Sequence, residues 1–141
     1  MSQADEFERM SEEGGDLQVV TYLFDKVAPK EISAIRLGFT GGEWLIRVNE
    51  DDSTLEIGPV SAVVETYESA NVSTHFPWAA ALGKHARWVW LLENQDGYED
   101  AIQFEFADTD RGGSVRIQLV AMNVAIQVNH VTPLETPYLS S

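Results

Sequence analysis

The sequence predicts a mainly β fold: antiparallel meanders forming a curved sheet, roll or half-barrel, with one or two short helices. Three observations predict it. Apolar and polar residues alternate on both sides of Gly41-Gly42. They alternate again around Asn94-Gln95-Asp96-Gly97 and on to Val128. And 44% of the 141 residues are hydrophobic, including four Trp, six Phe and four Tyr, enough to core one domain.

Residues 1–16 read as an acidic tail, a frayed helix or a disordered segment. Helix formers from Ala4 to Met10 run up to Gly14-Gly15, and six acids face the single Arg9. Residues 17–131 form the one β-rich domain. Leu17 to Phe24 is a strand, stopped before Pro29. A two-residue turn at Gly41-Gly42 then pairs Phe39 with Trp44, Leu37 with Ile46 and Ile35 with Val48, all on one face. After a polar turn at 49–54, Leu55 faces Val48, Ile57 faces Ile46, and Arg47 meets Glu56 on the opposite face.

Residues 58–84 carry weaker signals. Val60 to Tyr67 fits a short helix or a strand, and both stay open. Asn71 to Pro77 reads as a loop, and Trp78 to Gly83 as one helical turn ending at glycine. The second hairpin group begins at Arg87. Asn94, Asp96 and Gly97 suit a type I turn closed by a left-handed glycine with a bulge. That register puts Trp88 and Trp90 on the core face with Phe104 and Ile102, and Leu92 against Asp100. Phe106, Val115, Ile117, Leu119, Ala121, Val124, Ile126 and Val128 continue the face. Asp108 to Gly113 reads as a loose turn, Met122-Asn123 as a tight one. The opposite face reads as two polar rows: Glu105, Arg116 and Asn129, then Gln103, Gln118 and Gln127. Residues 132–141 read as an extended tail.

Trp88-Val89-Trp90, Asn94 to Asp100 and Gln103-Phe104-Glu105-Phe106 together resemble a family of small uncharacterised bacterial proteins, a domain of unknown function. The likeness centres on residues 88–106. It implies no activity, cofactor or site.

Composition excludes several function classes. Without cysteine the chain has no disulfide, thiolate metal site or cysteine nucleophile. Nine Lys and Arg against 23 Asp and Glu give a net charge of −14, which opposes general nucleic-acid binding. No apolar run is long enough to span a bilayer, and no targeting segment is read in the acidic start. A cytoplasmic location is the expectation.

No catalytic motif is found. There is no Gly-x-Ser-x-Gly elbow, no phosphate loop and no His-Glu-x-x-His. Asp108-x-Asp110 with Gly113 begins like an EF-hand loop, but its twelfth position is Leu119 where a bidentate glutamate is required. No metal and no cofactor are expected. His75 and Trp78, flanking Phe76-Pro77, are candidate ligand-binding residues. His85 and His130 read as structural. Arg36 and Arg47 share the outer face of the first hairpin and are candidates for an anionic group, with Glu56 and another acid expected to neutralise them.

Two function classes follow. The first is a non-catalytic protein-interaction module, adaptor-like or immunity-like, whose negative field attracts a basic partner. Solubility or salt adaptation would also account for the charge. The second is a small-molecule binder or enzyme with a pocket near His75 and Trp78. An exposed edge strand at Val124 to Val128 offers a homodimer contact.

Overall fold

In the computed structural model the described residues are 3–26, 30–49, 51–58, 60, 67–108 and 114–132. Pro29, most of the Val60 to Tyr67 segment, residues 109–113 and the tail from 133 lie outside them.

Helix α1 (Gln3–Glu13) is followed by β1 (Leu17–Asp25), β2 (Ile32–Phe39), β3 (Gly42–Asn49), β4 (Thr54–Gly58) and β5 (Tyr67–Asn71). A 3-10 turn at Trp78–Ala80 leads to β6 (His85–Glu93), β7 (Glu99–Ala107), β8 (Ser114–Met122) and β9 (Ala125–Val131). The mainly β class and the antiparallel meanders are as the alternation predicts. The strands form two sheets, not one rolled sheet. One has the order β4-β3-β2-β1-β5, the other β6-β7-β8-β9. Neither closes or curls strongly.

The core lies between the sheets. Phe39 of the first stacks on Phe106 of the second, ring centres 6.5 Å apart. Phe106 also stacks on Phe104 and takes the Trp78 edge at 6.3 Å. Each such ring contributes roughly 1.5–3 kcal/mol through burial. Backbone bonds join the layers: Leu17 N–H donates to the Lys84 carbonyl at 2.8 Å, and Gly83 N–H to the Leu17 carbonyl at 2.8 Å.

Of the readings open for the acidic N-terminal segment, residues Gln3–Glu13 form a helix, and that helix is docked on the sheets. Phe7 and Met10, three residues apart, share one face of α1 and are buried. Phe7 meets Phe104 edge-on at 6.1 Å. Gln3 Oε1 accepts from the Ile57 N–H at 2.8 Å, and Glu6 Oε2 from Trp44 Nε1 at 3.0 Å. These contacts lay α1 across β4 and β6, one edge strand from each sheet.

The first hairpin keeps its predicted faces but not its predicted partners. Phe39 pairs with Gly42, Leu37 with Trp44 and Ile35 with Ile46, so the turn is Thr40-Gly41. The partners move by two residues, an even step that leaves every side chain on its face. A tertiary contact decides this. Gly41 N–H donates to the Gly14 carbonyl at 2.7 Å, and Thr40 N–H to the Asp16 carbonyl at 3.0 Å. A Cβ on Gly41 would collide with the Glu13 carbonyl oxygen. The next strand pairs as predicted, Val48 with Leu55, Ile46 with Ile57 and Arg47 with Glu56.

The second hairpin departs further. Its turn is as predicted: Gly97 has φ +83°, and Asn94 N–H donates to the Tyr98 carbonyl at 2.9 Å. A second irregularity follows at once. Glu93 pairs with Glu99, but Leu92 pairs with Ala101, leaving Asp100 as an extra residue on β7. One inserted residue reverses the faces. Trp88 now pairs with Glu105 and Trp90 with Gln103, while Val89 and Leu91 turn inward. Trp88 and Trp90 therefore lie outside the core, correcting their predicted place. On the inner side Phe7 of α1 packs against Phe104 and lies with Val89 and Leu91 in one groove lining. A second shift between Ala86 and Trp88 restores the original parity.

Across β8 and β9 the tight turn also moves. Met122 pairs with Ala125, so Asn123-Val124 forms the turn and Val124 is exposed there, not on the core face. Gln103 pairs with Gln118 and Glu105 with Arg116, as predicted, but Gln118 then meets Asn129 and Arg116 meets Val131. The edge strand β9 begins at Ala125.

Candidate interaction surface

The residues singled out from sequence do not converge. Arg36 faces Leu45 and Arg47 faces Ala34, so the two arginines are staggered. Arg36 Nη2 reaches both Glu43 oxygens at 2.8 Å, and Arg47 Nε lies 3.5 Å from Glu56. Each guanidinium thus has a carboxylate, and Glu43 is the second neutralising acid. His75 is exposed, while Trp78, two residues past Phe76, is fully buried. Its Nε1 donates to the Tyr22 hydroxyl at 2.6 Å. The indole packs edge-on against Phe106 and belongs to the core between the sheets. The His130 ring meets exposed Phe76 at 5.0 Å, and His85 bridges to Asp16. Among the described residues no group of three or more His, Asp or Glu could hold a metal ion.

Sequence reasoning missed a surface built by the double irregularity of β6. Trp88 is 57% exposed and Trp90 is 38% exposed. Two residues apart on one strand, they stand about 6.6 Å apart on the same face. Arg87, the unpaired residue of the second shift, turns to this face as well. Its Nη2 lies 2.8 Å from Glu105 Oε2, and Arg116 Nη2 lies 3.3 Å from Glu105 Oε1. Glu105 is itself buried. The Arg87 guanidinium, then that of Arg116, holds its carboxyl below the usual carboxylate range against the opposing effect of burial.

Beside Trp88, between α1 and β6, runs a groove of about 460 Å³. Glu8, Ser11 and Glu12 of α1 form one wall, and Trp88, Val89 and Leu91 the other. Ser11 Oγ donates to the Arg87 carbonyl at 3.2 Å, occupying part of the free edge of β6. Glu8 and Glu12 are exposed, and neither has an ion-pair partner among the described residues. Arg9, between them in sequence, is already committed. It pairs with Glu6 at 2.9 Å and lies over the Trp44 ring at 4.8 Å. The acids Glu8 and Glu12, four residues apart, were legible in sequence. The strand irregularities that bring Trp88 beside them were not.

A family model described as a family of unknown function, DUF6334, matches residues 1–135. The chain belongs to this family. The match spans nearly the whole chain, so α1 is part of the DUF6334 unit along with both sheets, and the resemblance seen at residues 88–106 extends well beyond that hairpin. No curated protein and no solved structure matches the chain. Membership in DUF6334 assigns no activity, and the groove and the tryptophan face stand on their geometry alone.

Proposed function

We propose that the protein is a non-catalytic interaction module that engages a basic partner. The observation that carries this reading is the docking of α1. Phe7 and Met10 fix the helix against the core, so Glu8, Glu12 and Glu13 are held outward in set positions. Fixed charges steer encounter and define register better than charges on a mobile tail. The exposed indole of Trp88 lines the same groove as Glu8 and Glu12, and Trp90 follows two residues on along β6. Tryptophan supplies large contact area at low entropic cost and is enriched where protein partners bind most strongly.

The test is affinity capture at low and high salt, followed by rebinding of the purified captured protein to wild type and to E8Q/E12Q/E13Q. The reading expects a basic protein that is retained at low salt, released at high salt and lost on neutralising α1. Retention of no basic protein at low salt, or rebinding indifferent to the three substitutions, overturns it.

A further inference from the structure

We propose that the groove between α1 and β6 receives an arginine or lysine side chain of the partner, its cation set between the Glu8 and Glu12 carboxylates and the indole face of Trp88. This deepens the interaction reading and rests on it.

Charge complementarity names the occupant. Glu8 and Glu12 are four residues apart, one above the other on a helix face. Like charges at that spacing repel, and neither carboxylate is engaged in an ion pair among the described residues. Arg87 borders the groove, but its guanidinium is held by Glu105 at 2.8 Å. A cation from outside would remove the repulsion.

The chain already contains a related arrangement around a buried indole. On the neighbouring face of α1, Arg9 is held by Glu6 and lies 4.8 Å above the Trp44 ring. There a carboxylate holds a guanidinium against an indole and also accepts from the indole N–H at 3.0 Å. The Glu8–Glu12–Trp88 site supplies the first and third members and lacks the second. A cation over an indole face is attracted by the ring quadrupole, and the attraction grows as water is excluded. The apolar stem of an arginine or lysine would lie along Val89 and Leu91, which are only half-buried.

The test is calorimetric titration at low ionic strength with the peptide acetyl-Arg-Gly-Arg-amide, and with the same peptide carrying citrulline in place of arginine. Citrulline keeps the shape and removes the charge. The arginine peptide is expected to bind and the citrulline peptide not to. W88A and E8Q/E12Q should each weaken binding by about fivefold. D51N/D52N, in the turn before β4, should bind as wild type does. All three variants change exposed side chains, so folding is retained, and a thermal melt confirms it. Unchanged affinity in both W88A and E8Q/E12Q overturns the groove while leaving a diffuse electrostatic partner intact. Equal binding of the citrulline peptide overturns it as a cation site. No binding of the arginine peptide to any form overturns the groove, while the broader reading stands or falls on the capture experiment.

Discussion

Trp88 stands directly opposite Glu105 across the β6–β7 pair, so an exposed indole shares its face with a buried carboxylate. That pairing follows from the extra residue at Asp100. It decides which of the four tryptophans the solvent meets.

Acrylamide quenching of the indole fluorescence should therefore divide the tryptophans into two pairs. Trp88 and Trp90 are accessible, while Trp44 and Trp78 are at most 1% exposed. W88F/W90F should remove the readily quenched component and leave the protected one. Absence of a readily quenched component in the wild type would show that β6 keeps a single register, and a component surviving the double substitution would put Trp44 or Trp78 at the surface.

The docking of α1 predicts a large effect at Phe7. Phe7→Ala removes the ring that meets Phe104 and should cost about 3–5 kcal/mol in chemical denaturation. A loss below about 1 kcal/mol would mean a helix that lies on the surface without closing the core.

Tyr22 and Trp78 make a second structural prediction. Tyr22→Phe leaves the buried Trp78 N–H without its acceptor and should cost about 1–3 kcal/mol. Burial, opposed by the bond from Trp78, raises the Tyr22 hydroxyl above its ordinary range. Its absorbance titration should run higher than that of a free tyrosine and be missing from Y22F.

Glu105 predicts a pH dependence. Its folded carboxyl is held below the unfolded value of 4.5, so its contribution is present above that value. The contribution is lost as pH falls from 4.5 through the lowered folded value. Glu105→Gln should cost about 2 kcal/mol near neutral pH, where the carboxylate bonds to two guanidinium groups. The gap between variant and wild type should narrow under acid. Parallel stability curves across that range would remove the ion pair from the account.

Much of the fold was legible in alternation. The turn at Asn94 to Gly97 and the pairing of Arg47 with Glu56 are local, set by turn chemistry and by period-two burial. The tryptophan face was not legible, because parity changes with one inserted residue and Asp100 carries no local signal for insertion. The shifted register places Val89 and Leu91 on the side where Phe7, some 80 positions upstream, packs against Phe104, a long-range contact that local alternation does not carry. The same helix explains the moved turn at Thr40-Gly41, where Gly14 and Asp16 supply the backbone acceptors. Arg36 and Arg47 were legible as a pair, but Glu43 became the partner of Arg36 only once the hairpin took its observed register. The acids of α1 were plain in the sequence. Their fixed orientation depends on Phe7 and Met10, which alternation along strands does not reveal.

The most direct test of the account is an amide chemical-shift titration of the isotopically labelled protein with acetyl-Arg-Gly-Arg-amide. The account predicts perturbations concentrated on α1 around Glu8 and Glu12, on β6 from Arg87 to Leu91 and on the Trp88 indole N–H, all diminished at high salt. Perturbations centred on Asp51 and Asp52, or spread evenly over the acidic surface with α1 and β6 no stronger than the rest, would contradict it.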